Sequence, residues 1–344
     1  MSKTDSLVID LEAAEAGDPG ELERLRRLGG ELGIIQVVGH GVPQAVIDDF
    51  HDQAAEILAQ PRSAKIPLAS PTGHPYRGWR QWPDDFGRLE LERFSIGMYD
   101  NVDEALAAGL DPKYSADYAH PNVWPDSHPG FRDAARTYHA AAVGVARRVI
   151  GAYALALEVD PEVFPLGDGP DHTQFTINNY PTWTHGTVTT DDAVSDEEKL
   201  LLLEHADGSA VTVLHQRGDY EGLQGQQADG TWRTVPLVPG ALQVFSGYLL
   251  ARWTNGVLRP GRHRVVAGGT VTRLSSGVFW HPRVDTVVEP LAPFVGADGS
   301  DYDPVLVWDT IKDRVEDYLN VFGRPDQVAA WKEGRPYVAA LADA

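Results

Sequence analysis

Apolar residues recur along this chain in two rhythms, and the change falls near residue 173. Before it the spacing is helical. Leu22, Leu25, Leu28 and Leu32 stand three or four apart within residues 20–33, which puts them near one face of a helix. Ile34-Ile35-Gln36-Val37-Val38 then reads as a short buried strand, ended by Gly39-His40-Gly41. A second helix is predicted from about Pro43, where proline suits a first turn, to about Leu58. Residues 60–128, rich in proline, glycine and aromatics, predict an irregular excursion. A long helix fits 129–158, with Phe131, Ala135, Tyr138, Ala142 and Val145 as its apolar stripe.

After residue 173, short β-like runs alternate with turn signals: 173–180, 199–205, 210–214, 231–236, 241–245, 263–267 and 271–280. Closely spaced short strands predict a sandwich or barrel rather than a parallel sheet with crossover helices. Helical spacing returns at 307–319 and 325–333. The expected fold is therefore mainly β with flanking helices, built on a double-stranded β-helix (jelly-roll) core. The whole of 1–344 is expected to be one domain: 1–170 mostly helical, 171–290 the jelly roll, and 291–344 a helical tail.

Composition narrows the chemistry. The chain has 344 residues, is 42% hydrophobic and carries a formal net charge of −21, enough apolar mass for a core and the wrong sign for nucleic acid or an anionic membrane. No run approaches the length of a membrane span, and Met1 to Asp10 lacks the pattern of a secretory signal. There is no cysteine, so thiolate metal sites and cysteine nucleophiles are excluded, and any metal must be held by His, Asp or Glu. A cytoplasmic location is expected.

Residues 199–207 read Lys-Leu-Leu-Leu-Leu-Glu-His-Ala-Asp. Residues i and i+2 of a strand share a face, so His205 and Asp207 stand side by side at a strand end. Two ligands leave an ion such as Fe(II) undersaturated. His263, opening the run Arg264-Val265-Val266, can supply a third. Two histidines and one carboxylate on one side of a metal leave open positions opposite, the facial triad of non-haem Fe(II) oxygenases. Ten residues on, Arg273 and Ser275 again share a face. A guanidinium forks onto a carboxylate, a hydroxyl supports it, and a buried arginine needs such a partner. His-X-Asp by itself arises readily in a chain with twelve histidines, and the order of all five residues within the β-rich half carries the reading. His172, His185, His215 and His281 are expected to be loop or pocket-wall residues. No side chain is assigned as a catalytic acid or base.

The stretch from His205 to Pro282 resembles the isopenicillin N synthase-like Fe(II)/2-oxoglutarate-dependent dioxygenases. The matching pieces are His205-Ala206-Asp207, Thr212-Val213-Leu214, Gly222-Leu223-Gln224, Trp232, Pro239-Gly240, Trp253-Thr254-Asn255-Gly256, His263-Arg264-Val265, and Arg273-Leu274-Ser275 followed by Phe279 and Pro282. Val8-Ile9-Asp10 and Gly33 to Gly41 extend the likeness to the N-terminal half. Pro75-Tyr76-Arg77-Gly78-Trp79 and Tyr318-Leu319-Asn320 point to bacterial deacetoxycephalosporin C synthase-like enzymes as the nearest members. The resemblance implies a distorted jelly roll, Fe(II) on His205, Asp207 and His263, and 2-oxoglutarate with its remote carboxylate on Arg273 and Ser275. It places Asn178 and Tyr180, as a family Asn-X-Tyr element, near the co-substrate. Thr176 stands where many members carry arginine, and Tyr248 where many carry aspartate.

The expected reaction is oxidation, foremost hydroxylation, of an unactivated C–H in a small secondary metabolite, consuming O2 and 2-oxoglutarate and releasing succinate and CO2. A 2-oxo-acid-independent oxidase, a desaturase or cyclase of the same family, and a non-catalytic jelly-roll binding protein are the alternatives. Candidate substrate-pocket residues are Tyr76, Arg77, Trp79, Thr176 and Phe279, with Arg80 and Trp82 as further loop contacts. Thr176 and Asn178 carry no charge where cephalosporin-forming enzymes present arginines to a penicillin carboxylate. A less anionic, partly apolar substrate other than a penicillin is therefore expected.

Overall fold

The computed structural model describes residues 6–83, 90–180, 200–266, 273–297, 299–322 and 329. Among the described residues three sheets are formed. The largest has eight strands in the order β1 (Val8–Asp10), β2 (Ile34–Val38), β10 (Leu242–Ser246), β7 (Val211–Arg217), β12 (Arg273–Trp280), β5 (Gln174–Tyr180), β4 (Glu90–Gly97) and β3 (Gly78–Pro83). A second has four, in the order β6 (Leu200–His205), β11 (His263–Val266), β8 (Leu223–Gln226) and β9 (Trp232–Thr234). β13 (Val287–Val288) pairs with β14 (Val305–Leu306). Apart from the parallel β1–β2 pair, the strands run antiparallel. This is the mainly β, helix-flanked jelly-roll architecture that the spacing of short strands predicted.

The described residues also form helices. They are α1 (Leu11–Glu15), α2 (Pro19–Glu31), α3 (Gln44–Leu58), α4 (Arg62–Lys65), α5 (Val102–Ala107), α6 (Phe131–Ala156), α7 (Tyr248–Trp253) and α8 (Val307–Phe322). Of these, α6 lies against β7 and β12 of the large sheet and α2 against β2. The five stripe residues of α6 are all buried. Its Phe131 and Tyr138 stack with Phe50 of α3, and Tyr138 also meets Phe175 of β5. Alternation along each strand then sends the neighbouring residues to the opposite face. Thr212, Leu214 and Gln216 of β7, Arg273, Ser275 and Phe279 of β12, and Thr176, Asn178 and Tyr180 of β5 share that face by register. The small sheet closes over part of it. Phe245 of β10 meets the His263 ring at 4.5 Å, and Ile34 of β2 reaches Gly225 of β8 so closely that a Cβ at Gly225 would lie 2.6 Å from the Ile34 Cδ1.

The structure departs from the sequence reading in the N-terminal part. The excursion at 60–128 contains β3 and β4, which extend the large sheet, together with α5. Its proline and glycine content hid them because Gly78 and Pro83 bound β3 rather than interrupt it. The short β8 and α7 were not expected either. The predicted helix at 325–333 lies outside the described residues, save 329.

Candidate metal and co-substrate site

β6 ends at His205, and Asp207 lies two residues beyond the strand. β11 begins at His263, which pairs directly with His205 across the sheet. One side-chain donor atom from each of His205, Asp207 and His263 lies within 4.8 Å of the other two. The two imidazole centroids are 4.3 Å apart, and His205 Nε2 stands 3.6 Å from Asp207 Oδ1.

Each ring is held in one tautomer. His205 Nδ1 is 2.8 Å from the Leu203 carbonyl and His263 Nδ1 is 2.9 Å from the Gly261 carbonyl. A carbonyl only accepts, so both Nδ1 atoms carry the proton and both Nε2 atoms keep a lone pair for a metal. Burial pushes the His263 imidazole down to about 4, against the opposing pull of Asp207, which keeps the ring neutral near pH 7. Asp207 is buried, and its Oδ2 has no hydrogen-bond partner. A buried carboxylate oxygen without a partner is costly. A divalent cation on this side would satisfy it, so the donor set fits Fe(II).

Gly247, between β10 and α7, fixes this end of the site. A Cβ there would overlap the Ser209 carbonyl oxygen. The close approach lets Gly247 N–H donate to the Ala210 carbonyl and Tyr248 N–H to the Asp207 carbonyl, both at 2.9 Å. Tyr248 thus holds Asp207 through its backbone while its ring is exposed.

Arg273 is buried on the face that the small sheet covers. Its Nε donates to Gln216 Oε1 at 2.7 Å and one terminal nitrogen donates to Ser275 Oγ at 3.0 Å. The guanidinium lies 4.9 Å from the Tyr180 ring centroid. Burial lowers its pKa from the usual arginine value, and Tyr180 acts in the other direction. Among the described residues no carboxylate pairs with it. A buried guanidinium held only by neutral groups is a receptor for an anion. Gln216, not singled out in the sequence, is the missed member of this clamp; its signal was the strand alternation that also turns Thr212 and Leu214 inward.

The other named residues divide. Asn178 and Tyr180 pair across the sheet with Ser275 and Arg273 and join the clamp's face. Asn178 Oδ1 accepts from Arg93 Nε at 2.8 Å. Thr176 is buried beside Ser95, with the hydroxyls 3.2 Å apart, and Phe279 is half-buried opposite Thr212. Trp79 belongs elsewhere. It pairs with Phe94 on the helix-covered face and sits beneath Lys65, so alternation turns it away from the clamp. Arg77 is sealed into a buried cluster: its terminal nitrogens donate to Asp117 and to the Tyr76 carbonyl at 2.8 Å, and Nε donates to the His120 carbonyl. Asp117 also meets His74 and His172. Burial alone would push the Asp117 carboxyl up, but Arg77 with the two histidines holds it well below the usual carboxylate range. Arg77 is therefore committed to anchoring the segment before β3. Tyr76 is half-buried with its ring 6.1 Å from His74. His215 is half-buried beside His51, and His185 and the side chain of Trp82 fall outside the described residues.

Comparison with known proteins agrees with this geometry. Residues 172–282 match the 2OG-Fe(II) oxygenase superfamily, and residues 8–127 match the N-terminal region described as non-haem dioxygenase in morphine synthesis. The chain is 30% identical over 298 residues to azadirone synthase from Melia azedarach, covering 82% of this chain and 83% of that protein. It is 27% identical over 284 residues to a homoarginine-6-hydroxylase from Glycine max, covering 80% and 82% respectively. The rice dioxygenase for auxin oxidation superposes with a TM-score of 0.66 at 23% identity, over 98% of this chain and 99% of that one. The chain belongs to the 2OG-Fe(II) oxygenase superfamily, the 2-oxoglutarate-dependent non-haem iron dioxygenases.

Proposed function

We propose that this enzyme hydroxylates an unactivated C–H of a small metabolite, with iron on His205, Asp207 and His263 and the far carboxylate of 2-oxoglutarate on Arg273 and Ser275. The observation that carries the reading is the buried Arg273, held by Gln216 and Ser275 on the face covered by the sheet that bears the triad. Bound iron would supply the redox chemistry by which O2 oxidises the substrate while 2-oxoglutarate is converted to succinate and CO2.

The protein's own groups orient and exclude water. The Nδ1–H bonds to the Leu203 and Gly261 carbonyls aim both Nε2 atoms at one point. Gln216 and Ser275 set the plane of the Arg273 fork, which fixes where a dicarboxylate's remote end sits. Phe279 and Thr176 form part of the wall on the same face. No step requires a side-chain acid or base.

The strands of the large sheet come from both halves of the chain, β1 to β4 included, which supports treating 1–344 as one oxygenase domain. Kinship with deacetoxycephalosporin C synthase-like enzymes rests on sequence motifs alone, and the relatives named above are plant enzymes that lend it no support. No helix among the described residues is long and apolar enough to cross a membrane. The test is substrate-stimulated succinate formation by the iron-loaded enzyme. Oxidation of a substrate without 2-oxoglutarate consumption would favour the oxidase alternative instead.

A further inference from the structure

The clamp residue Gln216 has a second partner. Its Oε1 accepts from Arg273 Nε at 2.7 Å, and its Nε2 donates to the Tyr220 carbonyl at 2.6 Å. A guanidinium only donates and a carbonyl only accepts, so the side-chain amide is fixed in one orientation from both ends. Tyr220 lies in the connection between β7 and β8 and is itself tied down. Its hydroxyl donates to the Val266 carbonyl at the end of β11, and Val266 N–H donates to the Gly222 carbonyl at 2.9 Å. Gly222 leaves the room that this needs: a Cβ there would lie 2.3 Å from Tyr220 Cε1 and 2.8 Å from Cζ. The half-buried ring therefore lies directly over a residue without a side chain.

We propose that Tyr220 is a positioning residue for 2-oxoglutarate, holding Gln216 so that the Arg273 fork meets the co-substrate's remote carboxylate in one plane. This rests on the reading of Arg273 given above. Three observations carry it. First, the hydrogen bonds form one chain, from Val266 through Tyr220 and Gln216 to Arg273. Second, that chain joins two different sheets. Arg273 opens β12 of the large sheet, while Val266 ends β11 of the small sheet, the strand that His263 opens. Third, the phenol stands in the field of the guanidinium: burial raises the Tyr220 pKa from its ordinary value, and Arg273 opposes the rise.

The anchor matters because an amide has two unlike ends. Without it, Gln216 can turn over and present its NH2 group, a donor, to Arg273 Nε, also a donor. The guanidinium then loses the bond that sets its plane, and a bidentate pair with a carboxylate depends on that plane. Ser275 holds one terminal nitrogen, a single point about which the group can still rotate. Removing the Tyr220 hydroxyl breaks the link to Val266 and leaves the backbone carbonyl in place, so its effect is graded. The role is confined to the end of the co-substrate remote from iron.

The test uses the anaerobic, iron-loaded full chain, titrated calorimetrically with 2-oxoglutarate and with oxalate, an iron chelator that has no remote carboxylate. Tyr220→Phe keeps the ring over Gly222 and loses only the bond to Val266. It is expected to weaken 2-oxoglutarate about three- to tenfold, the loss of one hydrogen bond, and to leave oxalate within about twofold. Gln216→Leu should weaken 2-oxoglutarate about tenfold or more, again sparing oxalate. Because Tyr220 acts through Gln216, the double variant should bind no more weakly than Gln216→Leu. Unchanged 2-oxoglutarate affinity in Tyr220→Phe, an equal loss of both ligands, or losses that add in the double variant would overturn the proposal. Unchanged 2-oxoglutarate affinity in Arg273→Ala, titrated alongside, would instead overturn the reading of the clamp.

Discussion

His205 and His263 face each other in direct register where β6 pairs with β11, their ring centroids 4.3 Å apart, although 58 positions separate them in the chain. Each ring is oriented by a backbone carbonyl two residues before it. The strand pairing, not any local motif, brings the second imidazole to the His-X-Asp end.

That pairing makes His263→Ala informative. The variant should lose turnover and bind iron far more weakly while keeping its fold, because the backbone register does not depend on the ring. Metal content after dialysis, measured beside circular dichroism, checks it. Wild-type iron content in the variant would remove His263 from the ligand set.

Arg273→Ala should raise the Michaelis constant for 2-oxoglutarate by orders of magnitude. Removing one member of a buried ion pair costs roughly 3–5 kcal/mol. Arg273→Lys keeps the charge but loses the bond that Nε makes to Gln216, so it should be intermediate. Steady-state succinate formation across a 2-oxoglutarate series decides it, and an unchanged constant in the alanine variant would reject the clamp.

Gly247→Ala should be destabilising although its φ is −95°, a value any residue adopts. The cause is space, since the added methyl would overlap the Ser209 carbonyl oxygen. A loss of roughly 1–3 kcal/mol in urea unfolding is expected, with weakened iron binding because Tyr248 N–H would release the Asp207 carbonyl. Wild-type stability and iron affinity together would contradict the close approach.

Stability should fall as pH drops below neutrality. Burial is the largest cause lowering both His51, to about 3, and His215, to about 4. Unfolded, each titrates near 6.5. Between these values the unfolded chain binds more protons, so the stabilisation is complete above about 6.5 and is lost as pH falls toward 4 and then 3. Each histidine contributes a slope of up to about 1.4 kcal/mol per pH unit. His51 Nδ1 donates to the Ile47 carbonyl, so His51→Phe, which removes that bond and the titration, should lower stability at pH 7 and flatten the pH slope. Urea unfolding at pH 7 and pH 5 tests this; an unaltered slope would mean His51 does not titrate as described.

Much of the architecture and the chemistry was legible along the chain. Helical spacing marked α2, α3 and α6 to within about two residues, because each buries one stripe. Short β-like runs between turn signals marked most strands of the jelly roll. His205 with Asp207, and Arg273 with Ser275, were readable as neighbours since i and i+2 share a face. Tertiary structure decided what the one-dimensional pattern could not encode. It set which strands pair and in what register, and so which distant residues meet: His263 with His205, Gln216 with Arg273, Arg93 with Asn178. It also decided which face each residue of the 60–128 segment takes. A hidden pair of strands there turned Trp79 to the core and Arg80 inward, while Asp117 captured Arg77. Register depends on contacts made by whole sheets, so residues far apart in sequence acquire their chemistry only when the sheets close.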